Sequence, residues 1–170
     1  MTSRTITEIE VALAKHDKFN YIKNVVAFNV NGLGESLRLF HECDMLVLSK
    51  SGYLTEIEIK RSWQDYLKDF KKEHAHYGYD LIKNFYYCVP ISIKDKAIEY
   101  FNENGCFMIS GFIIYDEDLN ISFESVDNSN KEYRKFRKLF LEEQFQVARF
   151  GAMRAIILRE KLNKLNNDNR

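Results

Sequence analysis

Two apolar segments separated by a short polar stretch limit the folds that are open to this chain. Residues 45–48 (MLVL) are apolar, residues 49–53 (SKSGY) are small, polar or glycine, and residues 54–59 (LTEIEI) contain alternating charged side chains. This pattern predicts a β-hairpin with its turn near Ser51. The hairpin needs further strands and covering helices, which the rest of the chain must supply.

Other segments predict those elements. Strands are expected in residues 21–30, 84–90, 106–118 and 120–126, and helices in residues 5–19, 63–78, 92–105 and 131–165. Thr7 and Glu10 have the spacing of a capping box for the first helix, and Ser62 is placed to cap the second. Strands interleaved with helices predict an α/β or α+β domain around a mixed sheet, followed by a long helix.

The composition is that of one globular domain. The chain has 170 residues, of which 45% are hydrophobic and 14% aromatic, and its 25 basic residues balance 25 acidic ones. The overall charge therefore indicates neither a nucleic-acid nor a membrane partner. Residues 129–170 carry 11 basic and 5 acidic residues, so we predict a core over residues 1–128 and a basic helical extension over residues 129–170.

The cysteines and the hydropathy pattern indicate an intracellular protein. Cys43, Cys88 and Cys106 are far apart without a C-x-x-C spacing, which disfavours a disulfide framework and a thiolate metal site. No segment has the roughly 20 apolar residues of a membrane span, and the N-terminus has no apolar signal core. We expect a cytoplasmic protein without a membrane partner.

The predicted hairpin brings acids together. Glu56, Glu58 and Lys60 lie on one face of the second strand because side chains alternate along a strand. With a turn near Ser51, residues whose numbers sum to about 102 face each other, so Asp44 lies opposite Glu58 or diagonal to it. Two carboxylates and an ammonium are therefore expected at one end of the hairpin.

This group has the composition of a magnesium site. Hard divalent cations take oxygen ligands and are typically held by one or two carboxylates, which Asp44 and Glu58 supply. A bound metal activates water and offsets charge on a phosphate, and Lys60 is placed to assist. Glu42 and Glu56 are either further ligands or solvated acids. The simpler alternative for the whole group is a half-exposed strand with solvated charges.

The same residues carry a resemblance to a known family. Asp44 followed by Glu58-Ile59-Lys60, on a hairpin between an acidic helix and a Lys-rich helix, resembles the PD-(D/E)XK nuclease superfamily, which has the restriction-endonuclease-like fold. The segments HECDMLVLSKSGYLTEIEIKRSWQDYLKDFKKEHAHY, FYYCVP and GFIIYD are similar to the MmcB-like DNA-repair family and related bacterial and phage proteins. The similarity covers residues 7–123.

The resemblance implies roles for individual residues. It makes Asp44 and Glu58 the metal-binding acids and Lys60 the catalytic lysine, and it adds Ile59 to the metal-binding set. The superfamily often adds a glutamate from the first helix. Glu8 is preferred over Glu10 here, because Glu10 has the competing task of capping Thr7. Cys43 stands where many members have a proline, which is a departure from the motif.

The function implied by the resemblance is that of a Mg²⁺- or Mn²⁺-dependent nuclease. It would hydrolyse phosphodiester bonds in DNA, with RNA as the alternative substrate, during repair, recombination or phage DNA metabolism in the cytoplasm of a bacterial or phage-infected cell. Two other functions are compatible with the fold: a non-catalytic nucleic-acid-binding module, and an assembly protein whose acids face solvent.

Basic residues on two predicted helices are candidates for phosphate contacts. They are Lys68, Lys71 and Lys72 on the second helix, and Arg134 and Arg137 on the last one. The alternative is that these charges are simply solvated on the outer faces of packed helices. The last helix is also a candidate for a homodimer contact, because Gly151 and Ala152 permit a close helix crossing.

Overall fold

A computed structural model describes residues 4–33, 37–70, 80–105, 109–126, 128 and 135–168. The elements in chain order are α1 Ile6–Lys15, β1 Val25–Leu33, β2 Arg38–Leu48, β3 Leu54–Ile59, α2 Trp63–Phe70, β4 Ile82–Pro90, a 3₁₀ turn Ile91–Ile93, α3 Lys94–Asn104, β5 Gly111–Tyr115, β6 Ile121–Glu124 and α4 Leu141–Asp168. The chain therefore has the predicted α/β class, with a mixed sheet and a long C-terminal helix.

The six strands form one sheet in sequence order, β1-β2-β3-β4-β5-β6. Strands β1, β2 and β3 are antiparallel neighbours, β3, β4 and β5 are parallel, and β6 returns antiparallel. In the hairpin, Leu46 pairs with Glu56 and Leu48 with Leu54, which confirms the predicted register. Every residue of β3 is buried, so the half-exposed strand considered above is wrong.

Apolar side chains cover both faces of the sheet. On one face, Ile9 and Leu13 of α1 pack with Ile57 and Ile59 of β3. On the other face, a second core contains residues from α2, α3, β4 and the start of α4, among them Tyr66, Phe101, Tyr87 and Val147. The central strands are therefore covered on both faces, as the continuous apolar runs of β4 and β5 require.

Strand β2 is longer than the sequence pattern indicates. It begins at Arg38, so Glu42 and Asp44 lie within the strand, whereas the apolar segment expected for the first strand of the hairpin was residues 45–48. The extension is stabilised by β1, whose residues pair with β2 from Leu48 back to Arg38. Polar residues in this part of β2 hid the strand from an argument based on apolar runs.

A local break in side-chain alternation crosses β1 and β2. Asn29 has a left-handed φ of 50°. Ala27 and Val30, on either side of it, are three residues apart and yet belong to the same core. On β2, Cys43 belongs to that core whereas Met45, two residues later, belongs to the other one. Residues two apart on a regular strand share a face, so this break changes the direction of side chains around Asp44.

The two helix starts that were predicted from caps differ in outcome. Ser62 Oγ accepts a hydrogen bond from Asp65 N–H at 3.2 Å, as expected for the cap of α2. The predicted Thr7/Glu10 box is wrong, because α1 begins at Ile6 and its capping box joins Thr5 to Glu8. The two boxes have the same three-residue spacing, so the sequence pattern could not separate them.

The C-terminal helix begins ten residues later than predicted, at Leu141 and not at Lys131. Residues 135–140 form no helix. Their backbone N–H groups donate hydrogen bonds to other segments, from Arg137 to Asp80 O and from Leu139 to Gly52 O. Glu143 accepts the Phe140 N–H at 2.7 Å, which satisfies a donor at the start of α4. The predicted basic helix around residue 134 lies partly outside the described residues.

Helix α4 lies close against β1. A Cβ atom placed on Gly151 would be 2.9 Å from the carbonyl oxygen of Val26, so glycine allows this approach. Val147, one turn earlier, is fully buried, whereas several apolar residues further along are exposed: Met153, Ile156, Leu158, Leu162 and Leu165. Gly151 thus allows a close approach between α4 and the sheet within the chain, and the homodimer contact expected at this helix stays a prediction. Among the described helices, none is long and apolar enough to cross a membrane.

A valine at position 151 tests this crossing. We expect Gly151→Val to lower the free energy of unfolding by about 2 kcal/mol, because the new side chain overlaps the Val26 carbonyl. Ala152→Val introduces the same residue at the adjacent exposed position and should cost less than about 1 kcal/mol. Urea unfolding of both variants measures the difference, and equal losses would contradict the packing.

Candidate functional site

The structure brings Asp44, Glu58 and Lys60 together at the end of the hairpin. Glu58 lies on β3 and Lys60 directly after it, both about 5% exposed, and Asp44 lies on the neighbouring strand β2, partly buried. Lys60 N–H donates to Cys88 O on β4 at 2.8 Å, which continues the parallel pairing past the end of β3. The predicted group of two carboxylates and an ammonium is therefore present.

Lys60 is fixed by two carboxylates. Its Nζ atom lies 2.8 Å from Glu58 Oε2 and 2.9 Å from Asp69 Oδ1. Asp69 comes from α2, and its other oxygen accepts a hydrogen bond from Tyr87 OH at 2.9 Å. Burial alone lowers the pKa of Lys60, but the charges of Glu58 and Asp69 outweigh it and raise the pKa. The ammonium is therefore held charged in a buried position.

Glu58 has one oxygen left over. Oε2 binds Lys60, but Oε1 is buried and has no hydrogen-bond partner among the residues that the structure describes. Burial raises the pKa of Glu58 to about 8, and the charge of Asp44 adds to this, while Lys60 opposes it. A buried carboxylate oxygen without a donor is costly, and a bound cation would satisfy it.

Asp44 joins β2 to the end of β3. Its Oδ2 atom accepts the backbone N–H of Ile59 at 2.8 Å. Burial raises the pKa of Asp44, the Ile59 hydrogen bond and Lys60 lower it, and Asp65 and Asp69 raise it further. The net direction is upward, so Asp44 also lies in a region where negative charge is in excess.

The acid that α1 contributes to this region is Glu10, not Glu8. The Glu8 carboxylate is exposed and bonds to Thr5 and Arg4. Glu10 is 7% exposed, accepts a hydrogen bond from Asn29 at 3.0 Å, and has its pKa raised by burial, with a contribution from Asp44. The stated reason for preferring Glu8 is therefore wrong, since Glu8 is itself the capping residue.

The arrangement is suited to a hard divalent cation. Asp44 and Glu58 provide carboxylate oxygens from adjacent strands, and Glu10 has the same type of oxygen close enough to interact electrostatically with Asp44. Magnesium and manganese prefer such oxygen ligands. The unpartnered Glu58 oxygen and the raised pKa values of Asp44 and Glu58 are the features that a cation would relieve.

The predicted phosphate contacts have mixed outcomes. Lys68 is exposed on α2 and remains a candidate. Arg137 binds Glu143 through two hydrogen bonds of 2.7 and 2.6 Å and also contacts Asp80 at 3.2 Å, so its position is explained by structural ion pairs. Lys71, Lys72 and Arg134 lie outside the described residues.

Several residues around the site were missed by sequence reasoning. Asp69 and Tyr87 fix Lys60, Asn29 binds Glu10, and the charge of Arg154 on α4 lowers the pKa of Glu10. Asp69 and Tyr66 lie three apart on α2 and are both buried. An acid on the apolar stripe of a helix that follows the E-x-K strand was the available signal for Asp69.

Comparisons with known proteins show the fold and nothing more. No protein-family model matches the chain, and no curated protein matches it. A solved structure, the SPO1766 protein of unknown function from Silicibacter pomeroyi, superimposes with a TM-score of 0.57 at 14% sequence identity. The match covers 97% of this chain and 96% of that one, so the similarity in fold extends across the C-terminal region.

The raised pKa of Glu58 predicts how stability depends on pH. Between its usual value of 4.5 and about 8, the folded protein holds a proton that the unfolded chain has lost. Stability therefore falls as pH rises through this window. With a chelator present to remove metal ions, we expect the free energy of unfolding of the wild type to fall relative to that of Glu58→Gln as pH rises. The difference should reach the order of a few kcal/mol by pH 8.

Urea unfolding at pH 5, 6.5 and 8 measures this effect. The difference between the two proteins should be small at pH 5 and largest at pH 8, because glutamine mimics the protonated acid. Glu103→Gln, at an exposed position on α3, controls for the loss of one carboxylate. A constant difference across the three pH values would contradict the assignment.

Proposed function

We propose that the protein is a Mg²⁺- or Mn²⁺-dependent nuclease that hydrolyses phosphodiester bonds in DNA. The observation that carries the proposal is the buried Glu58 oxygen without a partner, beside Asp44 and a fixed Lys60. This set combines oxygen ligands for a hard cation with a permanent positive charge. A hydrolytic role in repair, recombination or phage DNA metabolism follows from the resemblance to the PD-(D/E)XK superfamily.

The local structure supports this resemblance. The hairpin that carries Asp44 and Glu58 is flanked in the chain by α1 and α2, Ser62 and Asp65 open α2, and β4 ends at Pro90. These are the features on which the similarity to the MmcB-like family rests. A restriction-endonuclease-like core is therefore part of the proposal.

Each residue then has a distinct task. Asp44 and Glu58, with Ile59 in the same set, would hold the metal, which when bound would lower the pKa of a water molecule and offset charge on the phosphate. Lys60 presents its ammonium beside the metal-binding acids, where it stabilises negative charge on the phosphate or orients the attacking water. Asp69 and Tyr87 position Lys60 through the contacts described above.

Cleavage assays with two variants test the mechanism. We expect the wild type to cut single-stranded, nicked or branched DNA in Mg²⁺ or Mn²⁺, and Lys60→Ala to lose activity by about 100-fold or more. Asp44→Asn should lose activity similarly while retaining the oxygen that accepts the Ile59 N–H. Glu99→Gln, exposed on α3, should cut like the wild type.

Circular dichroism establishes that each variant is folded. Cleavage by folded Lys60→Ala at the wild-type rate would eliminate the mechanism. Absence of cleavage by the wild type, combined with salt-dependent binding that needs no divalent ion, would instead favour a non-catalytic nucleic-acid-binding module. Absence of any DNA or RNA binding at low salt would favour an assembly role.

A second comparison separates the two glutamates of α1. Glu10→Gln should weaken Mn²⁺ binding about tenfold or more, because Glu10 is buried near Asp44 and contributes negative charge. Glu8→Gln should bind Mn²⁺ like the wild type, since glutamine also completes a capping box. Isothermal titration calorimetry measures both affinities. A larger effect at Glu8 would contradict the assignment of Glu10 as the α1 acid of this site.

A further inference from the structure

Three side chains of different chemistry meet beside the acidic site, on β2 and β3. His41 Nε2 lies 2.5 Å from Glu56 Oε1 and 3.5 Å from Cys43 Sγ. The imidazole, thiol and carboxylate ligand atoms all lie within 4.8 Å of one another. The side chains of His41 and Glu56 are 6% and 1% exposed, and Cys43 is fully buried.

The break in strand alternation contributes to this meeting. Cys43 belongs to the same core as Leu46, the residue that pairs with Glu56 across the hairpin. Without the break, Cys43 would share a face with Met45, which belongs to the opposite core. His41 is two residues before Cys43, and its ring nitrogen lies within hydrogen-bond distance of the Cys43 sulfur. The side chains of His41, Cys43 and Glu56 therefore converge on one side of the sheet.

These groups have the chemistry of a binding site for a borderline-soft metal. Zinc is bound by thiolate, imidazole and carboxylate, with metal-to-ligand distances of about 2.3 Å to sulfur and about 2.0 to 2.2 Å to nitrogen and oxygen. Tetrahedral geometry with these distances separates nitrogen and sulfur ligands by roughly 3.5 Å, which is the His41-to-Cys43 distance. The shorter His41-to-Glu56 contact would widen on binding.

We propose that His41, Cys43 and Glu56 form a binding site for a thiophilic divalent metal ion such as Zn²⁺. It differs from the Asp44 and Glu58 site in its ligands and in the metal class that it selects. The sequence alone disfavoured a thiolate site, because only one cysteine contributes and its partners are a histidine two residues away and an acid on the next strand. This inference does not depend on nuclease activity.

Cobalt binding provides a direct test, since Co²⁺ bound to a thiolate absorbs light by charge transfer whereas Co²⁺ bound only to oxygen or nitrogen does not. The full chain, freed of metal by a chelator and kept reduced, is titrated with Co²⁺. We expect a thiolate charge-transfer band that saturates at one equivalent, persists in excess Mg²⁺ and disappears when Zn²⁺ is added.

Cys88→Ser is the matched control for Cys43→Ser, because Cys88 is also fully buried but belongs to the opposite core. The band should persist in Cys88→Ser and vanish in Cys43→Ser. Glu56→Gln should weaken Co²⁺ binding about tenfold or more, and it serves as a second variant if Cys43→Ser does not fold. Asp44→Asn should keep the band.

The results separate a metal site from a buried ion pair. A band in Cys43→Ser equal to that of the wild type would overturn the proposal, as would wild-type protein that shows no band. A melting temperature that Zn²⁺ does not raise would identify the contact of His41 and Glu56 as a hydrogen-bonded pair only. Loss of the band in Cys88→Ser but not in Cys43→Ser would show that Cys88, and not Cys43, is the cysteine that binds the metal.

Discussion

The buried ammonium of Lys60 organises the region where β3, β4 and α2 meet. An uncompensated charge in the interior is strongly unfavourable, and here Asp69 supplies the opposite charge while Glu58 accepts a hydrogen bond from the same ammonium. Asp69 in turn holds Tyr87 on β4. One positive charge therefore links β3, α2 and β4. Because Glu58 Oε2 binds this charge, only Glu58 Oε1 is left to bind a metal ion.

Much of the fold was predictable because its strands are apolar and its turn is short. The hairpin register followed from the position of the turn, and β4 from its apolar run ending in Pro90. The upstream half of β2 was not predictable, since its polar residues are stabilised by pairing with β1. The start of α4 was also missed, because residues 135–140 bond to distant loops.

The candidate site was predictable where it depends on neighbours in the sequence. Glu58 and Lys60 are two residues apart, and the turn geometry brings Asp44 to them. Asp69 and Glu10 depend instead on how α2 and α1 pack against the sheet, which no local spacing reveals. The contact of His41 with Glu56 depends on a break in side-chain alternation opposite Asn29. A regular strand pattern would instead place His41 and Cys43 on the same face as Met45, away from Glu56.

The two outer strands of the sheet are arranged in ways that limit association with other chains. Unpaired strand edges invite intermolecular β-pairing and aggregation. At one side α4 lies so close to β1 that Gly151 is needed, and at the other side β6 is only four residues long. The approach of α4 thus restricts access to β1, and shortening the helix before Gly151 would expose a strand of nine residues to pairing with another chain.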